Sequence, residues 1–304
     1  MKPHITFPKI RLRVRPYLAL FILLPVIFIV ALRFFPEPAK NLTVFDNNQQ
    51  LYLQRCPNLS PVTYLAKEKT TGLPSPFTLL NWNIYKQRKP QWQEKLQEWA
   101  KDADLLTLQE VKYSPELTYF SETNNFYYLQ NYAFKYRDYI YGVNTLSKQP
   151  ALAVCGTRDS EPWIRVPKTA LASSYALANS TDLLLLINLH GINFTFTAEP
   201  LSKQLQPYLE LIKTHSGPII FSGDFNSWSG QRLAAIEAPL LKSGFNEVLF
   251  AKDQRMTIFN RPLDHIYFRG LKVIKAESIA TTASDHTPQR VTFALNKVTK
   301  KENN

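Results

Sequence analysis

The side chains able to do chemistry gather at the ends of short apolar runs. Asn83 closes FTLLNWN, and Gln109 and Glu110 close LLTLQE. His190 and Asn193 follow LLLLINL, and Asp224 and Asn226 follow PIIFSG. Asp264 and His265 open DHIYF, and Ser284, Asp285 and His286 stand just before VTFAL. Each unit alone has an ordinary reading. An Asn after a strand is commonly a turn residue, a Gln-Glu pair a solvated edge, and a lone His a packing residue. Together, carboxylates, amides and imidazoles at strand ends make a hard-oxygen metal site with acid/base groups beside it.

Those residues need elements that present them together. FTLLNWNI (77–84) and DLLTLQEV (104–111) read as buried strands. Further strands are expected near 141–147, 151–156, 169–177, 183–190, 218–225, 263–269, 272–279 and 289–295. Helices are expected over 91–100, where Trp92, Leu96 and Trp99 share one side, over 199–213 and over 229–242. Strands outnumber helices, and several adjoin without an intervening helix. The pattern predicts a mixed α/β sandwich rather than a strictly doubly wound sheet.

The N-terminus carries a separate signal. Residues 17–35 read YLALFILLPVIFIVALRFF, with Arg33 as their one charge. Nineteen helical residues span about 28 Å, close to the hydrocarbon core of a bilayer. Arg33 can snorkel to the interface, and Pro25 would kink the helix without excluding it. KIRLRVR, within the basic flank 1–16, is the kind of segment that stays in the cytoplasm. The expectation is a single-pass anchor at 17–35, with the N-terminus cytoplasmic and the remainder periplasmic or extracellular. A cleaved signal peptide is the rival, although no small-x-small site follows the run. Six prolines punctuate 36–76, which reads as a linker leading in to the domain, with a short edge strand at 51–53. The domain is expected over 77–296, and 297–304 is a polar tail.

Composition narrows the classes. With 45% hydrophobic residues in 304, the chain is not intrinsically disordered. Two Cys exclude a disulfide-stapled miniprotein and argue against a zinc site built on Cys pairs. Of the net charge of +12, half belongs to residues 1–40, where seven basic side chains face Glu37. The body is therefore mildly basic, compatible with a polyanionic substrate or an anionic membrane surface.

NWNIYK, LLTLQEV, GVNTLSK, INLHGINF, FSGDFNSW, LDHIYFRG and ASDHTPQRVTF occur in an order that resembles the endonuclease/exonuclease/phosphatase superfamily, the DNase I-like proteins. The resemblance covers about 77–296 and is nearest to the YafD-like bacterial proteins. It implies a four-layered α-β-β-α sandwich and a Mg²⁺-dependent phosphoric ester hydrolase, with Mn²⁺ as a substitute ion. It implies that Glu110 is the principal metal ligand, with Asn83 and Asp285 beside it. Asp224 and Asn226 match the pair that positions the attacking water, and His286 matches the imidazole on the scissile phosphate, oriented by Asp264. His190 matches a second histidine that can protonate the leaving oxygen, and Asn193 an Asn that contacts phosphate. Phosphoester hydrolysis builds negative charge on the phosphoryl and leaving oxygens, which a metal ion, an amide and a protonated imidazole each offset.

Several neighbours have plainer readings. His265 follows Asp264 within a strand, so it points to the opposite face and reads as structural. Lys86, Arg88 and Lys89 either contact a substrate phosphate or form a solvated loop. The aromatic runs 126–129 and 132–141 read as core or sheet edge, against substrate stacking or membrane contact. Cys56 and Cys155 would pair outside the cytoplasm and remain buried thiols inside it.

The leading expectation is a membrane-anchored hydrolase of phosphodiester bonds. A nuclease comes first; a lipid-headgroup or small-molecule phosphodiesterase or phosphatase, sphingomyelinase-like, comes second. A non-catalytic binding module on the same fold is the reading from another class. The completeness of the polar set argues against it.

Overall fold

The computed structural model describes residues 43–46, 49–52, 54–62 and 70–296, together with the single positions Leu23, Pro25 and Val26. The expected basic flank 1–16 and tail 297–304 lie outside the described residues. So does the expected anchor over 17–35, apart from those three helical positions. Among the described residues no helix is long and apolar enough to cross a membrane. The chain divides into residues 1–36 and 37–304, and the second unit carries the fold.

Its strands are β1 (Thr43–Asp46), β2 (Gln49–Tyr52), β3 (Ser60–Pro61), β4 (Phe77–Asn83), β5 (Leu105–Lys112), β6 (Tyr127–Tyr136), β7 (Tyr139–Ser147), β8 (Ala153–Ser160) and β9 (Pro167–Ala176). They continue with β10 (Leu183–His190), β11 (Ile219–Asp224), β12 (Asn246–Glu247), β13 (Thr257–Ile258), β14 (Arg261–Pro262), β15 (Asp264–Arg269), β16 (Leu271–Ser278) and β17 (Gln289–Leu295). The helices are α1 (Trp92–Trp99), α2 (Pro115–Thr123), α3 (Glu199–Thr214) and α4 (Gly230–Lys242). One sheet has the order β16-β17-β4-β5-β7-β6-β1-β2 and the other β12-β15-β11-β10-β9-β8-β3. The expected strands and helices are found within a few residues of their bounds. The aromatic runs become β6, β7 and the turn between them, the sheet reading of that stretch.

The lead-in segment behaves differently from a linker. β1 pairs with β6 in the first sheet, and β3 pairs with β8 at the edge of the second. The folded body therefore starts well before Phe77. Pro61 is tolerated because β3 is an edge strand, where a missing N–H breaks no ladder. Cys56 and Cys155 form a disulfide, fastening this segment to β8.

Three apolar clusters define four layers. Leu79, Leu105, Leu171, Leu184, Leu186, Ile220, Ile266 and Val291 fill the space between the sheets. Leu96, Trp99, Leu117 and Phe120 of α1 and α2 cover the first sheet through Leu80, Trp82, Leu106 and Leu108. Leu201, Leu205, Tyr208, Ile212, Ile236 and Leu240 of α3 and α4 cover the second through Leu185, Ile187, Leu189 and Phe221. A strand buried on both faces must be apolar throughout, which is why these strands read as unbroken runs.

The layer between the sheets changes character along its length. Same-face residues have period two, and along each central strand they turn from apolar to polar. Leu79 gives way to Asn81 and Asn83, Leu186 to Asn188 and His190, and Ile220 to Ser222 and Asp224. Asn81, Thr107, Gln109, Asn188 and Ser222 are buried and hydrogen-bonded to one another across the two sheets. This network floors the chemistry at the strand ends.

Candidate active site

Strand register brings the site together. In the ladders His190 stands opposite Asp224, Asp224 opposite Asp264, and Asn83 opposite Gln109. Gly223 lets β10 and β11 run this close: it has φ +146°, and a Cβ there would sit 2.0 Å from the Leu189 carbonyl oxygen. Glu110 needs another device. Gln109 already faces the layer between the sheets, so regular alternation would turn Glu110 away. The β5–β7 ladder shifts register between Leu108 and Val111, and Glu110 has φ 54°. This bulge re-aims the Glu110 carboxylate into the site. Tyr85, Lys86 and Gln87, which follow β4, also have positive φ, as does Asn226. Five of the twelve non-glycine residues with positive φ among the described residues thus lie at the site.

Asp224 and His286 form its centre. Asp224 is buried; its Oδ2 accepts from Asn83 Nδ2 at 3.0 Å, and its Oδ1 accepts from the Asn226 backbone N–H at 3.0 Å. Burial pushes its carboxyl up to about 6, with His286 opposing and Asp264 adding to the rise. His286 Nδ1 donates to Asp264 Oδ2 at 2.7 Å, and its Nε2 lies 3.8 Å from Asp224 Oδ2. Burial disfavours the imidazolium, but Asp264 and Asp224 outweigh it and raise its pKa to about 10. The ring is therefore charged at neutral pH. Ser284 Oγ fixes this loop by donating to the Asn83 carbonyl and accepting the His286 backbone N–H. Asp264 Oδ1 is buried without a hydrogen-bond partner, leaving one strong acceptor in the pocket wall.

A second group surrounds Glu110. Burial opposes its ionisation, but Lys168 and Lys86 together outweigh burial and hold its carboxyl below the usual range. Lys86 Nζ bonds Glu110 Oε2, and Lys168 Nζ lies 4.0 Å from Oε1. Lys168 also donates to His190 Nε2 at 2.5 Å. That bond requires an unprotonated Nε2. Burial, with Lys168, Lys86 and His286 nearby, drives the His190 pKa well down. Burial and the neighbouring cations thus favour a neutral His190 ring in this arrangement. Lys168 of β9, which sequence reasoning missed, stands beside it; burial pushes its ammonium pKa down, with Glu110 and Asp224 opposing. A cleft of about 50 Å³ opens beside it, lined by Lys86, Glu110, Tyr141, Lys168 and His190 among others.

The structure brings Asn83, Glu110, His190, Asp224, Asn226, Asp264 and His286 into this one network. Asn193 and Asp285 stand at its edge. Asn193 Oδ1 accepts from the Trp228 indole at 2.9 Å. Asp285 is exposed, with Oδ1 3.3 Å from Ser284 Oγ. Of the basic cluster, only Lys86 enters the site; Arg88 and Lys89 are exposed beside the Tyr85 ring. His265 is sealed behind the wall, with Nδ1 2.7 Å from Glu247 Oε1 and Nε2 2.7 Å from Ser227 Oγ.

A hard divalent cation requires oxygen donors, at least one of them charged. The Glu110 carboxylate and Asn83 amide, with Asp224 adjoining, fit that requirement at the same strand ends. Lys86 contacts the carboxylate a cation would use, so the ammonium and a cation compete for Glu110.

The family model described as Endonuclease/Exonuclease/phosphatase family matches residues 80–286. The chain belongs to that family. A UPF0294 protein of Vibrio vulnificus, from the YafD-like group, is 39% identical over 86% of this chain and 89% of its own. The catalytic domain of human Nocturnin, solved with a bound sulfate anion, shares the fold with a TM-score of 0.59 at 18% identity, covering 76% of this chain and 99% of that one. A mannosyl-6-phosphatase of Bacteroides thetaiotaomicron shares it with a TM-score of 0.57 at 16% identity, covering 72% and 100%. The chain is accordingly a hydrolase of phosphoric esters built on a DNase I-like fold, in a family whose members generally use divalent metals.

Proposed function

We propose that this chain is a Mg²⁺-dependent phosphodiesterase acting on nucleic acid. The observation that carries the reading is the buried Asp224 carboxylate 3.8 Å from an imidazole that Asp264 keeps charged. Asp224 takes the proton of the attacking water as its oxygen bonds to phosphorus. The His286 imidazolium hydrogen-bonds a phosphoryl oxygen and offsets the charge that grows there. Lys168 faces the leaving side with an ammonium, and the departing ester oxygen ends protonated as its bond to phosphorus breaks. Glu110 and Asn83 would hold Mg²⁺, with Asp224 adjoining and Asp285 at the edge of the site, Mn²⁺ being its substitute, and the bound ion would supply further positive charge for the phosphoryl oxygens.

The same reading places residues 17–35 in a membrane and the domain in the periplasm or outside the cell. The Cys56–Cys155 disulfide supports an oxidising compartment. The apolar run favours a second reading, hydrolysis of a phospholipid headgroup, since an anchor would hold the site near the bilayer.

The test incubates the full-length chain in detergent with single-stranded and supercoiled circular DNA, with Mg²⁺ and with EDTA, beside Glu110→Gln. Cleavage that needs Mg²⁺ and falls about 10²-fold or more in the variant is expected. Cleavage that survives EDTA, or is untouched by the substitution, would overturn the metal assignment.

A further inference from the structure

Three turns, at 161–166, 191–198 and 259–260, carry large aromatic rings with little covering them. Phe196 is 87% exposed, Phe259 73%, Trp163 66% and Phe194 54%. Trp163 and Phe196 meet edge to face at 5.4 Å, and Trp228 lies 6.4 Å from Phe259. Isolated exposed hydrophobes need no explanation, but a group of them beside a catalytic site does.

Buried charges fix the backbone of the 191–198 loop that carries Phe194 and Phe196. The carboxylate of fully buried Glu161 accepts the backbone N–H groups of Asn193 and Phe194, at 2.7 and 2.9 Å. Buried Arg232 donates to the Asn226 carbonyl at 2.6 Å, to Thr195 Oγ1 at 2.8 Å and to the Ile192 carbonyl. Two desolvated charges thus fix the loop between His190 and α3 from both sides. Rings pre-set in this way bind a partner with little ordering cost.

We infer that these rings are stacking platforms for unpaired bases flanking the scissile phosphate, so that the substrate is single-stranded nucleic acid. The inference rests on the phosphodiesterase reading and deepens it. The rings project from three separate turns, and Arg165 and Arg261 stand on two of them. Flat apolar faces alternating with guanidinium groups match bases alternating with phosphates. In a duplex the base faces are stacked and paired, so the rings could reach only their edges. The aromatic rather than aliphatic character of the group favours bases over a bilayer's acyl chains.

The full-length chain, with Mg²⁺, would be assayed in detergent on a single-stranded oligonucleotide, its duplex and bis(p-nitrophenyl) phosphate, which has no bases, and after reconstitution on phosphatidylcholine vesicles. The expected result is a single-strand preference. Phe196→Ala and Phe259→Ala should each raise KM for the single strand roughly 5- to 100-fold, and leave the small diester unchanged. Phe196→Trp should restore binding. Equal cleavage of duplex and single strand, or an equal loss on all substrates, would overturn the inference. So would variants that spare oligonucleotides but lose hydrolysis of phosphatidylcholine vesicles, which would assign the rings to a lipid surface. Turnover of the small diester without any nucleic acid would sink the inference and leave a phosphodiesterase standing. Turnover of neither would sink both.

Discussion

The strand β15 begins with two adjacent residues that each enter an imidazole–carboxylate pair, and the pairs have opposite fates. Asp264 holds His286 at 2.7 Å on the side between the sheets. His265 holds Glu247 at 2.7 Å on the other side. The bond lengths match; the surroundings of the second ring nitrogen do not. His286 Nε2 faces the Asp224 carboxylate, 3.8 Å away. His265 Nε2 faces Ser227 Oγ, which also donates to the Pro262 carbonyl, and Arg255 closes the Glu247 side at 2.8 Å. One pair carries a charge toward a pocket, and the other ties β15 to the turn after Asn226. A His–carboxylate pair is therefore not a catalytic signature by itself. What decides is whether the free nitrogen meets a reacting group or a finished hydrogen bond.

Substituting the two pairs should separate chemistry from stability. Asp264→Asn should lower kcat/KM on bis(p-nitrophenyl) phosphate about 10²- to 10³-fold, because the imidazolium loses its main support. A loss below tenfold in a folded variant would erase the distinction between the pairs. His265→Ala should instead destabilise the fold by about 1–3 kcal/mol in urea titration, through the hydrogen bonds that Glu247 and Ser227 lose to the buried ring. The surviving folded protein should keep most of its kcat. A collapse of kcat in the folded fraction would make the rear pair part of the reaction.

Proton linkage sharpens the contrast further. His286 has a folded pKa near 10, above its ordinary 6.5, so the folded state binds the proton more tightly. Its contribution to stability is complete below about 6.5 and is lost as the pH rises toward 10. In EDTA the melting temperature of the wild type should therefore decline across that window, and that of Asp264→Asn should decline less. Parallel curves would show that Asp264 does not set the charge on the ring.

Much of this was legible in the chain. Polar residues at the ends of unbroken apolar runs named the strands, and their order matched a family. The passage from Leu79 through Asn81 to Asn83 is local, and period two reads it directly. Other features were not local. Lys168 sits at the start of a strand that looks unremarkable, and its partner His190 lies 22 residues away along the chain. The fall in the His190 pKa comes first from burial and then from Lys168, Lys86 and His286, none of them readable locally. The bulge at Glu110 breaks the alternation that sequence reasoning relies on. Before Phe77 the edge strand near 51–53 was expected and is found as β2, whereas β1 and β3 were not read, since prolines suit an edge strand and a linker alike.

Asp224→Asn tests the assignment of the site most directly. The full-length variant would be assayed on bis(p-nitrophenyl) phosphate with Mg²⁺, beside its melting temperature. The expectation is a loss of about 10³-fold in kcat in a variant that still folds, with a lower melting temperature, since an amide can accept only one of the two hydrogen bonds that the carboxylate accepts from Asn83 and Asn226. Turnover near that of the wild type in a folded variant would contradict the assignment of Asp224 as the group that takes the water's proton.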